Sequence, residues 1–219
     1  MWNTRSLLCG FLCIVAFMRT TESKAVDFHP DSSKNITESL TEIIKSVTSH
    51  QDEIANLERT RINLLVLLAQ ELLGVLKEYQ DKSYLELVSV SNCSLPLVPR
   101  NGGLVCVYLG SVYYCKPMCN QGFDFSFLRR SRLYEECGKH TDFAWTSQYI
   151  FGRRLAECIE SKVAVSGAPT AYFNKDRCQN ITSSATAEQE YIKTFLQELN
   201  EKQIDKEHKD AFDFVACGN

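Results

Sequence analysis

Cysteine placement constrains this chain more than any other feature. Cys9 and Cys13 stand near the start, and the other eight cysteines (Cys93, Cys106, Cys115, Cys119, Cys137, Cys158, Cys178 and Cys217) all lie beyond residue 92. Six of those eight fall within 93–158. An even set in an oxidising compartment implies a disulfide framework, yet eight cysteines allow 105 pairings and spacing does not choose among them. The stretch YYCKPMCNQGF at 113–123 weighs against other uses. Its two cysteines are three residues apart, not the two of a zinc knuckle or a redox pair. Of the histidines His29, His50, His140 and His208, only His140 is near them in sequence. No metal and no cofactor are expected.

The compartment follows from the first 25 residues, MWNTRSLLCGFLCIVAFMRTTESKA. Arg5 precedes a short apolar run at 7–18, and the small residues Ser23 and Ala25 suit a cleavage site. This is the pattern of a secretory signal peptide. The run is shorter than the ~20 residues that span a bilayer. The most apolar later window, INLLVLLAQELLGVL, carries Gln70 and Glu71, so no transmembrane segment is expected. A secreted, released chain makes three N-glycosylation sequons readable, at Asn35, Asn92 and Asn180. The formal net charge of −3 argues against nucleic acid as a partner.

The chain divides by composition. A polar leader occupies 26–36. From 37 to 84 there is neither Pro nor Cys, and Leu40, Ile43, Val47, Ile54, Leu57, Leu64, Leu68, Leu72, Val75 and Tyr79 recur mostly at spacings of three, four and seven. That period predicts a long helix, with Ser39 and Glu42 forming a capping box near its start. Its length suggests a coiled coil or helical hairpin. His50 and Arg61 fall on seam positions, Glu71 interrupts the register, and Leu65, Leu68, Leu72, Val75 and Tyr79 fit it best. A membrane-surface helix needs many basic residues opposite its apolar face, and only Arg61 occurs in 60–76.

Residues 93–158 alternate β-prone runs (LVCVYLG, SVYYC, FDFSF, FAWTSQYI) with turn signals, predicting a small disulfide-rich β module. In 159–219, Tyr191, Ile192, Phe195, Leu196 and Leu199 share one face of a helix over about 185–202. The expected fold class is α+β: a long N-terminal helix, a bridged β module and a C-terminal helical segment.

Within 93–158 the cysteine order resembles a sushi (complement control) module of the six-cysteine kind found in selectins. Cys93 followed by Pro96 and Pro99 is similar to that family's opening, and Asn101-Gly102 to its next turn. Cys106 and Cys115 match the extra pair, and Cys119 through Gly122 and Phe123 the central C-x2-G-[YF]. Cys137, Trp145 and Cys158 match its closing part, while Ala144 and Glu157 depart from its usual Gly and Pro. The resemblance implies bridges Cys93–Cys137, Cys119–Cys158 and Cys106–Cys115, and it implies protein recognition or adhesion. Cys217 is free to tie back to Cys178.

No chemistry-bearing motif stands out. Gly-x-Ser-x-Gly, a phosphate loop, HExxH and a calcium loop are all missing from the sequence. The chain is not expected to be an enzyme, and no catalytic residue is assigned. Charge is uneven instead. Residues 93–158 carry eight basic and five acidic side chains. Arg129, Arg130, Arg132, Arg153 and Arg154 sit among aromatics there, a candidate surface for an anionic partner such as a sulfated glycan or an acidic protein. RRSR also fits proprotein cleavage after Arg132. The sequence thus favours a secreted, self-associating glycoprotein that binds through its β module, with a compact monomeric factor or carrier as the alternative.

Overall fold

The computed structural model describes residues 35–150, 152–173 and 177–218. The expected signal peptide at 1–25 and nearly all of the polar leader lie outside these residues. The chain forms two compact units, divided after Ala69.

In the first unit, helix α1 (Ile36–Ser49) begins at Asn35, whose side chain accepts from the Thr37 backbone N–H. The helical period of 37–84 does not give one helix. It breaks at His50, before a short α2 (Gln51–Ala55), and again before α3 (Arg59–Ser89). Local side chains explain the first break. The hydroxyls of Thr48 and Ser49 donate to the carbonyls of Ile44 and Ser46, and the His50 ring lies 2.7 Å from the same Ser46 carbonyl. Such back-bonding competes with the helix ladder. No described residue of this unit is buried.

The second unit is built on a hairpin. Strand β1 (Gly102–Leu109) pairs antiparallel with β2 (Val112–Asn120) along its whole length. On its other side β1 pairs with β7 (Phe214–Cys217). The outer side of β2 takes β4 (Glu135–Cys137) and, in parallel, β6 (Tyr172–Phe173). The strands β3 (Phe123–Phe125) and β5 (Cys158–Glu160) form a separate antiparallel pair. Residues before and after 158 therefore share one sheet. Every residue of β1 and β2 is buried. That is why LVCVYLG reads as a continuous apolar run and not as an alternation.

Strand periodicity sends alternate side chains to two cores. Val105, Val107, Leu109, Tyr114 and Met118 meet Ile181 of helix α4 (Cys178–Thr182) and Ile192, Phe195 and Leu199 of helix α5 (Ala185–Glu201). Leu104, Cys106, Tyr108 and Tyr113 meet Val88, Trp145, Leu155 and Phe214. The end of α3 is anchored in this second core by Tyr84, which stacks on Phe214 at 5.1 Å, and by the Tyr113 hydroxyl, which donates to the Leu87 carbonyl. Strand β7 is an edge whose free backbone is capped by side chains. Val215 N donates to Glu188, and the Val215 carbonyl accepts from Tyr84. Capping of this kind blunts edge-to-edge association.

Four bridges join different elements: Cys93–Cys137, Cys106–Cys115, Cys119–Cys158 and Cys178–Cys217. Cys106 and Cys115 are direct cross-strand partners, whereas Cys119–Cys158 links the two sheets. The glycines after Asn101 are set by these bridges. A Cβ on Gly103 would stand 2.4 Å from Cys178 Sγ and 2.7 Å from the Ala216 carbonyl oxygen. Gly74 of α3 is the contrast, since nothing lies within 4 Å of a Cβ built there. Gly103→Ala is expected to cost about 1–3 kcal/mol by overpacking. Gly74→Ala should instead stabilise by roughly 0.5–1 kcal/mol, because Ala is the better helix former. Urea midpoints of the two variants check both signs.

Candidate functional site

The five arginines singled out in the sequence do not form one patch. Arg129 is only 3% exposed, and its Nη1 donates to Glu135 Oε1 at 2.9 Å and to the Leu155 carbonyl at 3.1 Å. Arg132 donates from Nε and Nη2 to the two Glu135 oxygens, at 2.7 and 2.5 Å, and from Nη2 to the Thr146 carbonyl. Glu135 is wholly buried and also accepts from the Thr146 hydroxyl. Burial pushes the Arg129 guanidinium down, and Glu135 opposes that shift. Arg129 and Arg132 are thus structural, pinning the 126–134 segment to β4. Within RRSR, Arg129 is buried and Arg132 is held at Glu135, while Arg130 and Ser131 face solvent. Arg130 is exposed and lines a different cleft, beside Val165, Pro169 and Tyr172.

Arg153 and Arg154 are exposed and belong to another arrangement. The Arg154 guanidinium lies 5.6 Å from the centre of the Tyr149 ring, and that ring is 5.5 Å from Phe127. A cation over an aromatic face is attractive, and the three side chains form a row in which the two rings are tilted by 54°. Polar ties hold the row in place. The Tyr149 hydroxyl is 3.0 Å from Ser126 Oγ, and Ser147 Oγ accepts from Tyr149 N and donates to the Arg154 carbonyl. The segment is fixed to the body where Leu97 N donates to the Arg153 carbonyl at 2.7 Å.

At the tip of this segment, Gly152 N donates to the Tyr149 carbonyl, and Gly152 itself has a positive φ of 65°, a conformation glycine adopts readily. Ile150 projects there with 96% of its surface exposed, and Phe127 and Leu128 are exposed at 53% and 71%. The face is therefore aromatic and aliphatic with an arginine margin. On the far side of Arg154 a cleft opens between Pro99, Arg100 and Asn101 and the residues Ala156 and Glu157. Sequence reasoning found Arg153 and Arg154 but missed Phe127, Tyr149 and Ile150. The signal available was TSQYIFG, a turn sequence with an unusual load of large apolar residues.

The other titratable groups serve the fold. Asp124 is 5% exposed and accepts from the Tyr172 hydroxyl at 2.6 Å, the Ser166 hydroxyl at 2.8 Å, and the backbone N–H groups of Phe125, Val165 and Ser166. Burial alone would push its carboxyl up, but these hydrogen bonds outweigh it and hold the group at about 2. Tyr172 is pushed up to about 12, first by burial and then by its bond to Asp124. Lys116 is 2% exposed and reaches Glu198 of α5 at 2.6 Å, with burial pushing its ammonium down. Among the described residues no group of three or more His, Cys, Asp or Glu is arranged to hold a metal. No described helix is long and apolar enough to cross a membrane.

The sequons are placed on the surface. Asn35, Asn92 and Asn180 are all exposed. Asn35 uses its Oδ1 to cap α1, which leaves its Nδ2 for attachment.

No protein-family model matches the chain, and neither comparison with curated proteins nor comparison with solved structures gives a match.

Two outcomes follow from the buried carboxylates. Glu135→Gln removes the counter-charge of Arg129, and unfolding free energy should fall by about 3–5 kcal/mol, measured by denaturant titration. Asp124 is depressed from its ordinary value of 3.8 to about 2. Its stabilising contribution is complete above pH ~4 and is lost as pH falls toward ~2, amounting to about 2 kcal/mol. Stability measured from pH 5 to pH 2 should fall less steeply in Asp124→Asn, although that variant starts lower.

Proposed function

We propose that this is a secreted, N-glycosylated, self-associating binding protein without catalytic activity. Its bridged β unit presents the face of Phe127, Tyr149, Ile150 and Arg154 to an extracellular protein. The observation that carries this reading is Ile150, a large aliphatic side chain 96% exposed at the tip of a turn tied down on both sides. Exposed apolar groups of this kind, set beside Tyr and Arg, have the composition of interface hot spots. An acidic rim on the partner would complement Arg153 and Arg154. The sushi-like order of Cys93, Cys106, Cys115, Cys119, Cys137 and Cys158 supports recognition as the task. Four bridges and surface sequons are compatible with an oxidising, extracellular setting.

Self-association is supported by helix α3. From Leu64 through Leu68, five consecutive apolar side chains are each 47–54% exposed. Five successive residues point to every side of a helix, and a helix apolar all round is a helix to be covered. Repetition of a weak site on one assembly raises avidity when geometry permits.

The test compares the proteins captured from extracellular fluid by the wild-type chain and by an Ile150→Asp, Arg154→Glu variant. The variant should lose a specific partner by at least tenfold while its circular dichroism stays unchanged. Identical capture by both chains would remove this face from the account. A heparin column run in parallel separates the glycan outcome, in which Arg153→Ser, Arg154→Ser lowers the eluting salt and Ile150→Asp does not.

A further inference from the structure

We infer that α3 pairs with α3 of a second copy of this chain in antiparallel orientation, about a two-fold axis at residue 70. The inference rests on the self-association proposed above and adds its geometry.

The seam residues at alternating spacings of three and four are Glu58, Arg61, Leu65, Leu68, Leu72, Val75, Tyr79 and Lys82. All but Glu58 lie in α3. The apolar members keep much of their surface exposed, with Leu65, Leu68, Leu72, Val75 and Tyr79 at 47%, 51%, 40%, 53% and 69%, although Leu65 also borders a cleft lined by Val47 of α1 and Ile54 of α2. A helix packs against its copy through such a seam in layers.

The two orientations give different layers. In a parallel, in-register pair, each residue meets itself. Glu58 then faces Glu58, Arg61 faces Arg61 and Lys82 faces Lys82, which sets like charges together at both ends. In the antiparallel pair about residue 70, Leu68 meets Leu72 and Leu65 meets Val75. Arg61 then lies over the Tyr79 ring, and Glu58 meets Lys82. Every apolar layer is kept, and both polar end layers become attractive. The helix dipoles also lie antiparallel, each N-terminus beside the partner's C-terminus, which adds to the preference. Arg61 thus stops being a flaw in the seam and becomes its end cap. Leu64 and Leu76 flank the seam on opposite sides and widen the covered surface. The scarcity of basic residues in 60–76 makes a second copy a better occupant than a lipid surface.

Charge exchange separates the orientations, because the side chains of Glu58 and Lys82 are exposed. Sedimentation equilibrium is run on the full chain, on Glu58→Lys, on Lys82→Glu and on the double exchange. The antiparallel pair predicts that each single variant weakens association about two- to fivefold and that the double exchange restores it, with all effects shrinking in high salt. Leu68→Asp should abolish association outright. Association unchanged in both single variants, or weakened and not restored in the double, overturns the antiparallel register while leaving self-association standing. A wild-type chain that remains monomeric at tens of micromolar overturns both. If that monomer floats with phosphatidylcholine vesicles, the seam belongs to a lipid surface instead.

Discussion

The second unit depends on strand β1 being buried on both faces and paired along both edges. A strand in that position needs one core on each side and a neighbour on each flank. β2 supplies one flank through a tight hairpin, reinforced by Cys106–Cys115. β7 supplies the other. One core comes from α4 and α5, the other from the end of α3 with Trp145 and Leu155. The bridges then act where this core cannot. Cys93–Cys137 and Cys119–Cys158 hold the irregular segments around β3, β4 and β5. Restricting the unfolded chain is how cross-links stabilise such segments.

Charge is used inside the unit in the same way. Glu135 gathers Arg129 and Arg132, Asp124 gathers the 163–167 loop with Tyr172, and Lys116 reaches Glu198 across the sheet face. Each joins a segment without regular structure, or a helix, to a strand. A buried charge is costly without a partner, so each arrangement penalises alternative positions of the segment it holds. This is why Arg129, among the basic residues most conspicuous in sequence, is not on the surface.

What sequence made legible depended on how local the cause was. Helix α5 was legible because Tyr191, Ile192, Phe195 and Leu199 repeat at helical spacing, and the structure adds Ser184 as its cap. The mixed helix and sheet class followed from the contrast between the cysteine-free stretch and the bridged one. The three pairings within 93–158 did not follow from spacing and entered only through a family resemblance, whereas the tie of Cys217 to Cys178 was read from the tail itself. The interruption at His50 was hidden, because back-bonding by Thr48 and Ser49 leaves the apolar period intact. Strand β7 was hidden too, since FDFVAC is short and its partner lies far away in sequence. The fate of Arg129 turned on Glu135, six residues away but across a strand boundary, and nothing in FLRRSRLYEE distinguishes that pair from a solvated loop.

The distance between β1 and β7 has a consequence for synthesis. Leu104 pairs with Ala216, roughly a hundred residues later, so that flank of the central strand stays open until β7 has been made. Until then the hairpin presents an open backbone edge on that flank. Of the four bridges, Cys178–Cys217 is the only one that must wait for the same event, because one of its sulfurs is in β7 itself. Closure of the sheet and closure of that bridge are therefore a single late step, and the nascent chain is most open to wrong partners just before it.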